Sequence, residues 1–185
     1  MSYIIAIDVG VKNLGVCIFD FRCAKIVEWA NIDLVTQGRY LPQHNVTYVR
    51  NFIHRFKPYF DDLFALVIEK QMRMNMRIIE SVFEALFFEH CVRVSPRSVK
   101  VHYDISTKNY AGNKRKAVEW AMQFVANNPK TFKSWEGYCL IDKFQAAKKQ
   151  DDYADALLLL MYYLDTYSNQ LTTAVPEFVD VLLQG

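Results

Sequence analysis

The sequence predicts an α/β fold in which helices flank a mixed sheet of five strands. Five short segments rich in apolar and β-branched residues are predicted to be strands, at residues 3–9, 14–20, 25–34, 64–69 and 91–95. Segments with helical spacing of apolar residues follow the third, fourth and fifth strands. This order, three strands and then strands alternating with helices, is typical of a mixed sheet covered by helices.

The first three strands are predicted to be antiparallel neighbours. Residues 3–9 and 14–20 are joined by Gly10-Val11-Lys12-Asn13, whose composition favours a turn, so a hairpin is expected. Glycine there would allow a tight turn, and Gly15 a close approach of a phosphate backbone. Residues 25–34 are expected to add the third strand, and residues 36–45 to form a loop.

Helices and strands alternate in the middle of the chain. Residues 47–61 carry apolar residues on one helical face, and residues 64–69 are a continuous apolar run that suits a strand buried on both faces. Residues 76–90 again have helical spacing. Residues 91–95 are expected to be a strand that stops at Ser95-Pro96.

The last third of the chain is predicted to be mainly helical. Residues 103–113 are expected to be a loop, residues 114–127 an amphipathic helix, and residues 128–150 irregular or partly helical. Residues 151–166 form a strongly apolar helix, and no structure is predicted for the tail after Tyr167. A chain of 185 residues with 52% hydrophobic residues is the size of one domain, so residues 1–185 are expected to be a single domain.

Composition excludes several classes of protein. The formal net charge of +2 is too small to indicate a polyanion partner by itself. The four cysteines show no C-x-x-C spacing and no secretory signal precedes them, which favours a reducing intracellular compartment. The four histidines form no zinc signature. No apolar run reaches the roughly 18 residues that a membrane span requires, so a soluble protein is expected.

Acidic residues stand at the ends of three predicted elements. Asp8 ends the apolar run 4–7, Glu69 ends the apolar run 66–68, and Asp151-Asp152-Tyr153-Ala154-Asp155 opens the last helix. Carboxylates that converge repel one another unless a cation lies between them, and Mg²⁺ prefers oxygen ligands. The pattern therefore indicates metal-assisted phosphoryl chemistry at a site with two ions roughly 4 Å apart.

Each acid also has a purely structural explanation. Asp8 could cap the turn, Glu69 could mark the solvent end of a strand, and the late aspartates could stabilise a helix N-terminus. Three coincidences at element ends favour the functional interpretation. Helical spacing alone allows Asp155 to share a face with either Asp151 or Asp152.

A basic stretch lies between the second and third acidic positions. It contains one acid, Asp104, and seven basic residues, which are Arg93, Arg97, Lys100, Lys108, Lys114, Arg115 and Lys116. Such a run is usually a solvated face. Its interleaving with serine, threonine, asparagine and tyrosine also suits contact with phosphate oxygens.

Five motifs in order resemble the RuvC-type Holliday junction resolvases of the ribonuclease H-like superfamily, with the poxvirus and large-DNA-virus branch nearest. The resemblance runs from about Ile4 to Leu164. Its motifs are Ile7-Asp8-Val9-Gly10 with Asn13-Leu14-Gly15, Val67-Ile68-Glu69-Lys70-Gln71, Ser95-Pro96-Arg97-Ser98-Val99-Lys100, Asn113-Lys114-Arg115-Lys116 and Asp152-Tyr153-Ala154-Asp155-Ala156.

The resemblance implies a ribonuclease H-like fold and a homodimeric endonuclease that nicks opposed strands of a four-way DNA junction. The implied ligands of two Mg²⁺ ions, with Mn²⁺ as an alternative, are Asp8, Glu69, Asp152 and Asp155. Asp151 is then expected to be dispensable. Lys114 joins the catalytic set, and the residues expected to contact DNA are Lys70, Met72, Arg73, Arg97, Lys100, Lys114, Arg115 and Lys116. If the protein is viral, it is expected in the compartment where viral DNA replicates.

One position departs from the family pattern. Bacterial members tend to have an aromatic residue three positions after the second acid, where this chain has Met72. A thioether could still make apolar contact with bases. The acid set also leaves open a ribonuclease H acting on hybrids, and a non-catalytic junction-binding protein. The apolar helix at 76–90 is a candidate dimer interface, although core packing also explains it.

Overall fold

A five-stranded sheet forms the centre of the computed structural model, which describes residues 1–36, 38–107, 109–135 and 138–174. The strands are β1 (Tyr3–Asp8), β2 (Leu14–Asp20), β3 (Lys25–Ile32), β4 (Leu63–Glu69) and β5 (Cys91–Val94). Their order across the sheet is β3-β2-β1-β4-β5. The pairs β1–β2 and β2–β3 are antiparallel, whereas β1–β4 and β4–β5 are parallel. The predicted mixed sheet of five strands is therefore confirmed.

Seven α-helices are described around this sheet. They are α1 (Asn45–Arg55), α2 (Lys57–Phe60), α3 (Met74–Leu86), α4 (Pro96–His102), α5 (Tyr110–Asn127), α6 (Leu140–Ala146) and α7 (Gln150–Ala174). Two short strands, β6 (Ser134–Trp135) and β7 (Tyr138–Cys139), pair with each other outside the main sheet. No described helix has both the length and the apolar character that crossing a bilayer demands.

The sheet is buried on both faces, which explains the continuous apolar runs of its central strands. Ile5 and Ile7 of β1 lie in a core beneath α1 and α3, where Phe83 is fully buried. Ala6 belongs to the opposite core, which packs against α5, α6 and α7 and includes Leu157. Each large aliphatic side chain buried in this way contributes about 1.5–3 kcal/mol. The alternation along β1 therefore fixes which face each of its side chains occupies.

Proline explains two differences from the predicted helices. The single helix expected at residues 47–61 is divided into α1 and α2 at Phe56, because Pro58 lacks the N–H that a continuous helix needs and instead lies in the first turn of α2. Pro96 similarly lies in the first turn of α4, a helix that the sequence analysis did not assign.

Helix α5 begins at Tyr110, four residues earlier than predicted, because Asn109 caps its N-terminus. The Asn109 side chain accepts a hydrogen bond from Gly112 N at 2.6 Å, which satisfies one free N–H of the first turn. Asn113 Oδ1 accepts hydrogen bonds from Thr107 N at 2.6 Å and Thr107 Oγ1 at 2.7 Å. The loop predicted at residues 103–113 thus ends at Asn109.

The remaining predicted elements are close to the observed ones. The helix expected at 76–90 is α3, which begins at Met74 and ends at Leu86. The segment expected to be irregular or partly helical contains β6, β7 and α6. The final helix extends to Ala174, and the end of the predicted tail, residues 175–185, lies outside the described part of the chain.

Candidate active site

Two of the predicted acids lie at the ends of neighbouring parallel strands. Asp8 is the last residue of β1 and Glu69 the last residue of β4. Ala6 pairs with Val67 in the register of these strands, and both side chains lie in the core beneath α7. Because strand side chains alternate between faces, Asp8 and Glu69 point to this same face two residues later. Strand ends and side-chain alternation together bring the two carboxylates under α7.

Helix α7 supplies the other two acids from its first turns. Asp152 is buried, and its Oδ2 accepts a hydrogen bond of 2.8 Å from Asn31 Nδ2 on β3. Trp29 Nε1, on the same strand, donates to Tyr153 O at 2.8 Å. These two bonds tie the start of α7 to β3. Asp155 lies one turn further along, on the face shared with Asp152.

A glycine near the start of β2 lets α7 come close to the sheet. Gly15 pairs with Asp8 on one side and with Asn31 on the other. A Cβ atom at Gly15 would lie 2.2 Å from the backbone oxygen of Asp152 and 3.2 Å from Ala156 Cβ. Gly15 was predicted to admit a phosphate backbone, whereas the backbone of α7 lies there in the structure. Gly10 does have the expected turn role, since a Cβ there would lie 2.1 Å from Asn13 O.

The four carboxylates raise one another's pKa. Burial is the main cause of the raised pKa of Asp8, and the nearby carboxylates of Glu69 and Asp152 add to it. Burial raises the pKa of Glu69 to about 7, with a further contribution from Asp155. Burial and the charge of Asp8 raise the pKa of Asp155 to about 7. Burial and the charge of Asp151 raise the pKa of Asp152. Repulsion between neighbouring carboxylates therefore links the four acids, and Asp151 adds to it at Asp152 and Asp155.

Two lysines of the predicted set offset this repulsion. Lys100 lowers the pKa of both Glu69 and Asp155 through its charge. Lys114 does the same for Asp152 and Asp155. Lys100 belongs to α4 and Lys114 to the second turn of α5, so both helices direct a cation toward the carboxylates.

Two residues at the site were not among the predicted site residues. Gln71 Nε2 lies 3.4 Å from Asp8 Oδ1 and 3.4 Å from Glu69 Oε2, so it links the two strand-end carboxylates. Gln71 N in turn donates to Glu80 Oε2 at 2.9 Å, and Glu80 is buried in α3. Asn31 is the second missed residue. Gln71 ends the motif Val67-Ile68-Glu69-Lys70-Gln71, and Asn31 is a polar residue in a predicted strand; neither signal specifies a partner.

The other residues predicted to contact DNA are not among those whose charge acts on the four carboxylates. Lys70 and Arg73 are exposed, and Met72 is 89% exposed, in the segment between β4 and α3. Arg97 is exposed on α4. On α5, Arg115 Nε lies 3.7 Å from Glu119 Oε1.

The basic stretch divides into separate environments. Arg93 on β5 forms an ion pair with Glu84 on α3, with Arg93 Nη1 2.9 Å from Glu84 Oε2. Lys116 Nζ donates to Asp104 O at 3.2 Å. Lys108 lies outside the described residues. Of this stretch, Lys100 and Lys114 are the residues whose charge acts on the carboxylates.

The carboxylates are close in pairs without forming a closed cage. Within the described ranges, no group of three or more His, Cys, Asp or Glu side chains is already gathered closely enough to hold a metal ion. The donor set nevertheless suits a hard cation, because it consists of carboxylate oxygens that lack sufficient positive charge among them.

Comparison of the fold with solved structures identifies resolvases. The yeast mitochondrial Holliday junction resolvase Ydc2 matches with a TM-score of 0.65 at 17% identity, over 93% of this chain and 86% of that one. The fowlpox virus Holliday junction resolvase matches with a TM-score of 0.62 at 17% identity, over 89% of this chain and 98% of that one. RuvC of Thermus thermophilus matches with a TM-score of 0.50 at 13% identity, over 88% and 95%. These likenesses confirm the predicted ribonuclease H-like resolvase fold.

Sequence comparison assigns the family. No curated protein matches the chain at the sequence level. The family model described as Poxvirus A22 protein matches residues 2–166, most of the chain. This match confirms the poxvirus branch that the sequence motifs indicated. The chain belongs to the Poxvirus A22 protein family.

Proposed function

We propose that this protein is an endonuclease that resolves four-way DNA junctions by paired, metal-dependent nicks. The main support is that Asp8 and Glu69 at the strand ends face Asp152 and Asp155 at the start of α7, with the charges of Lys100 and Lys114 acting on them. A solved complex of the fowlpox virus resolvase with its substrate Holliday junction DNA has the same fold, with a TM-score of 0.62. The family and the fold thus support a DNA junction as the substrate, and the carboxylates support metal-dependent hydrolysis.

We propose Mg²⁺ as the cofactor, two ions per site, with Mn²⁺ as an alternative. The four carboxylates are hard oxygen ligands, and the direction of their pKa shifts supports a cation at this site, because positive charge would favour their ionisation. Ion binding would draw the paired carboxylates closer together. Divalent ions at such a site supply an activated water and a stabilised leaving oxygen, which favours products with 5′-phosphate and 3′-hydroxyl ends.

The protein's own residues have distinct tasks in this proposal. Gln71 holds Asp8 and Glu69 beside each other, and Asn31 orients Asp152. Lys114 would contact the phosphate to be cleaved.

The remaining basic residues would bind the DNA backbone. Contacts of this kind fix the position of DNA without specifying its sequence. We assign them to Lys70, Arg73, Arg97, Lys100, Arg115 and Lys116. Met72, 89% exposed, is placed to make apolar contact with bases at the junction.

We further propose that the protein acts as a homodimer through α3. Met74, Ile78 and Leu86 are 69%, 39% and 51% exposed, and Val46 on α1 lies on the same surface at 53%. Exposed apolar residues on one helix are typical of an interface that a second copy covers. Two active sites related by a two-fold axis would match the paired scissile phosphates of a junction.

A cleavage assay tests the proposal. A synthetic four-way junction is incubated with the protein over a Mg²⁺ titration, beside an RNA/DNA hybrid and a flap. Junction cleavage that requires the ion is expected from the wild type, and Asp8→Asn or Asp155→Asn should abolish it. Asp142→Asn, which removes an exposed acid from α6, serves as the matched control. Full activity in the Asp8 or Asp155 variant contradicts the proposal, and preferential cutting of the hybrid favours a ribonuclease H activity instead. Metal-independent binding without cleavage favours a junction-binding protein.

The family also suggests where the protein works. Membership of a poxvirus family favours an intracellular role on viral DNA. We therefore place it in the host-cell compartment where that DNA replicates. Imaging of the tagged protein in infected cells, with labelled viral DNA, tests this location.

A further inference from the structure

Asp151 was expected to be dispensable, yet the structure gives it a specific partner. Its Oδ2 accepts a hydrogen bond from Lys114 Nζ, although the two residues are 37 positions apart. The side chains are only 21% and 33% exposed, so the pair is more protected than a typical surface ion pair. Helices α5 and α7 pack against each other, and Lys114 and Asp151 lie near their N-terminal ends.

Lys114 is held from a second side by an aromatic ring. Tyr110 lies one turn earlier on α5, and its ring centre is 5.1 Å from Lys114 Nζ. Tyr110 is itself 70% exposed. The hydrogen bond to Asp151 and the ring of Tyr110 together restrict the conformations open to the Lys114 side chain.

The held ammonium group stays charged. Partial burial would lower the pKa of Lys114, but hydrogen bonds with Asp151 and Tyr110 raise it above its ordinary value. An ammonium group has three N–H donors. Asp151 and Tyr110 engage two of them, so one donor remains for a phosphate oxygen even while both contacts are kept.

We infer that Asp151 is a positioning residue that holds the Lys114 ammonium beside Asp152 and Asp155, ready to contact the scissile phosphate. This inference rests on the proposed nuclease function. A lysine held in this way loses little conformational entropy when DNA binds. We therefore expect the contact with Asp151 to increase the rate of cleavage. The affinity for DNA gains nothing, since an acid near the phosphate backbone opposes binding.

Two variants of Asp151 test the role. Asp151→Asn removes the charge at constant size, and Asp151→Glu retains it. We expect kcat on a four-way junction to fall about tenfold in Asp151→Asn, with unchanged or tighter junction binding, and to recover largely in Asp151→Glu. Asp61→Asn is the matched control, because Asp61 is an exposed aspartate whose Oδ1 lies 2.6 Å from Lys57 Nζ. The control should cut at the wild-type rate.

A double-mutant cycle separates positioning from a merely structural role. In a Lys114→Met background, Asp151→Asn should cause no further loss of kcat, because the group that Asp151 positions is gone. An equal loss in both backgrounds would show that Asp151 acts through its neighbour Asp152 and would overturn the inference. A wild-type kcat in Asp151→Asn would overturn it as well.

A measurement without DNA or metal examines the contact directly. The Lys114 ammonium should give a slowly exchanging ¹⁵N NMR signal in the wild type that disappears in Asp151→Asn while the rest of the spectrum is retained. Absence of that signal from the wild type contradicts the positioning role. Failure of the wild type to cut any junction would instead overturn the proposed function, and the positioning role with it.

Discussion

The substitution Gly15→Ala should damage the active site by displacing a helix. Gly15 lies inside β2, between Asp8 and Asn31, and the first turn of α7 crosses directly above it. The added methyl would lie 2.2 Å from Asp152 O, a backbone atom that cannot rotate away. A real contact at this position needs at least about 3 Å, so the start of α7 must move by roughly 1 Å.

The displacement of α7 should lower both the stability of the protein and its rate of cleavage. Overpacking of this kind typically costs about 1–3 kcal/mol of stability, which a folded domain tolerates. A shift of about 1 Å in catalytic groups costs about 100-fold in rate. Because α7 carries Asp152 and Asp155, the loss of activity should far exceed the loss of stability.

The assay compares cleavage of a four-way junction at saturating Mg²⁺ with the midpoint of urea unfolding. Gln123→Ala is the control, because Gln123 is an exposed residue of α5. Alanine is well tolerated at an exposed helical position, so the control should retain wild-type activity. A folded Gly15→Ala protein that cuts at the wild-type rate would refute the argument that α7 needs this close approach.

Three further predictions concern charge, hydrogen bonding and assembly. Burial and mutual repulsion raise the pKa of Glu69 from 4.5 to about 7, so the native state binds more protons than the unfolded state in that interval. Stability without metal should therefore fall by up to about 3 kcal/mol as the pH rises from 4.5 to 7. Urea unfolding in EDTA measures this loss, Mg²⁺ should reverse it, and a flat profile contradicts it. Asn31→Ala removes the donor to Asp152 and should cost about 1–2 kcal/mol in the same unfolding assay, together with a loss of junction cleavage; unchanged values in both contradict the orienting role. Ile78→Asp should give a folded monomer by light scattering, since Ile78 is 39% exposed in the protomer, and a persistent dimer would place the interface elsewhere.

The sequence predicted the parts of the site that depend on local pattern. Asp8 and Glu69 were found because an acid that ends an apolar run is unusual in a strand. The five strands were found because β-branched runs between turn residues are a strong local signal.

The parts that were missed depend on contacts distant in sequence. Asn31 matters because strand register places it beside Gly15 and under Asp152, which its neighbours in the chain do not reveal. The partnership of Lys114 with Asp151 depends on the packing of α5 on α7. Arg93 belonged to a basic run in the sequence, but its partner Glu84 lies on a different element. The helix break at Pro58 was a local signal that the spacing of apolar residues concealed.

The contacts that attach α7 to the sheet join residues far apart in the sequence, which affects the order of folding. The bond between Asn31 and Asp152 joins residues 121 positions apart, and the strand-end acids belong to segments made much earlier than the helix that completes the group. Contacts of such long range form late in folding, because closing a large loop costs entropy before any contact repays it. A nascent chain that lacks its last helix therefore has only half of the carboxylates. The proposed hydrolysis of DNA should therefore begin only after α7 has packed against the sheet.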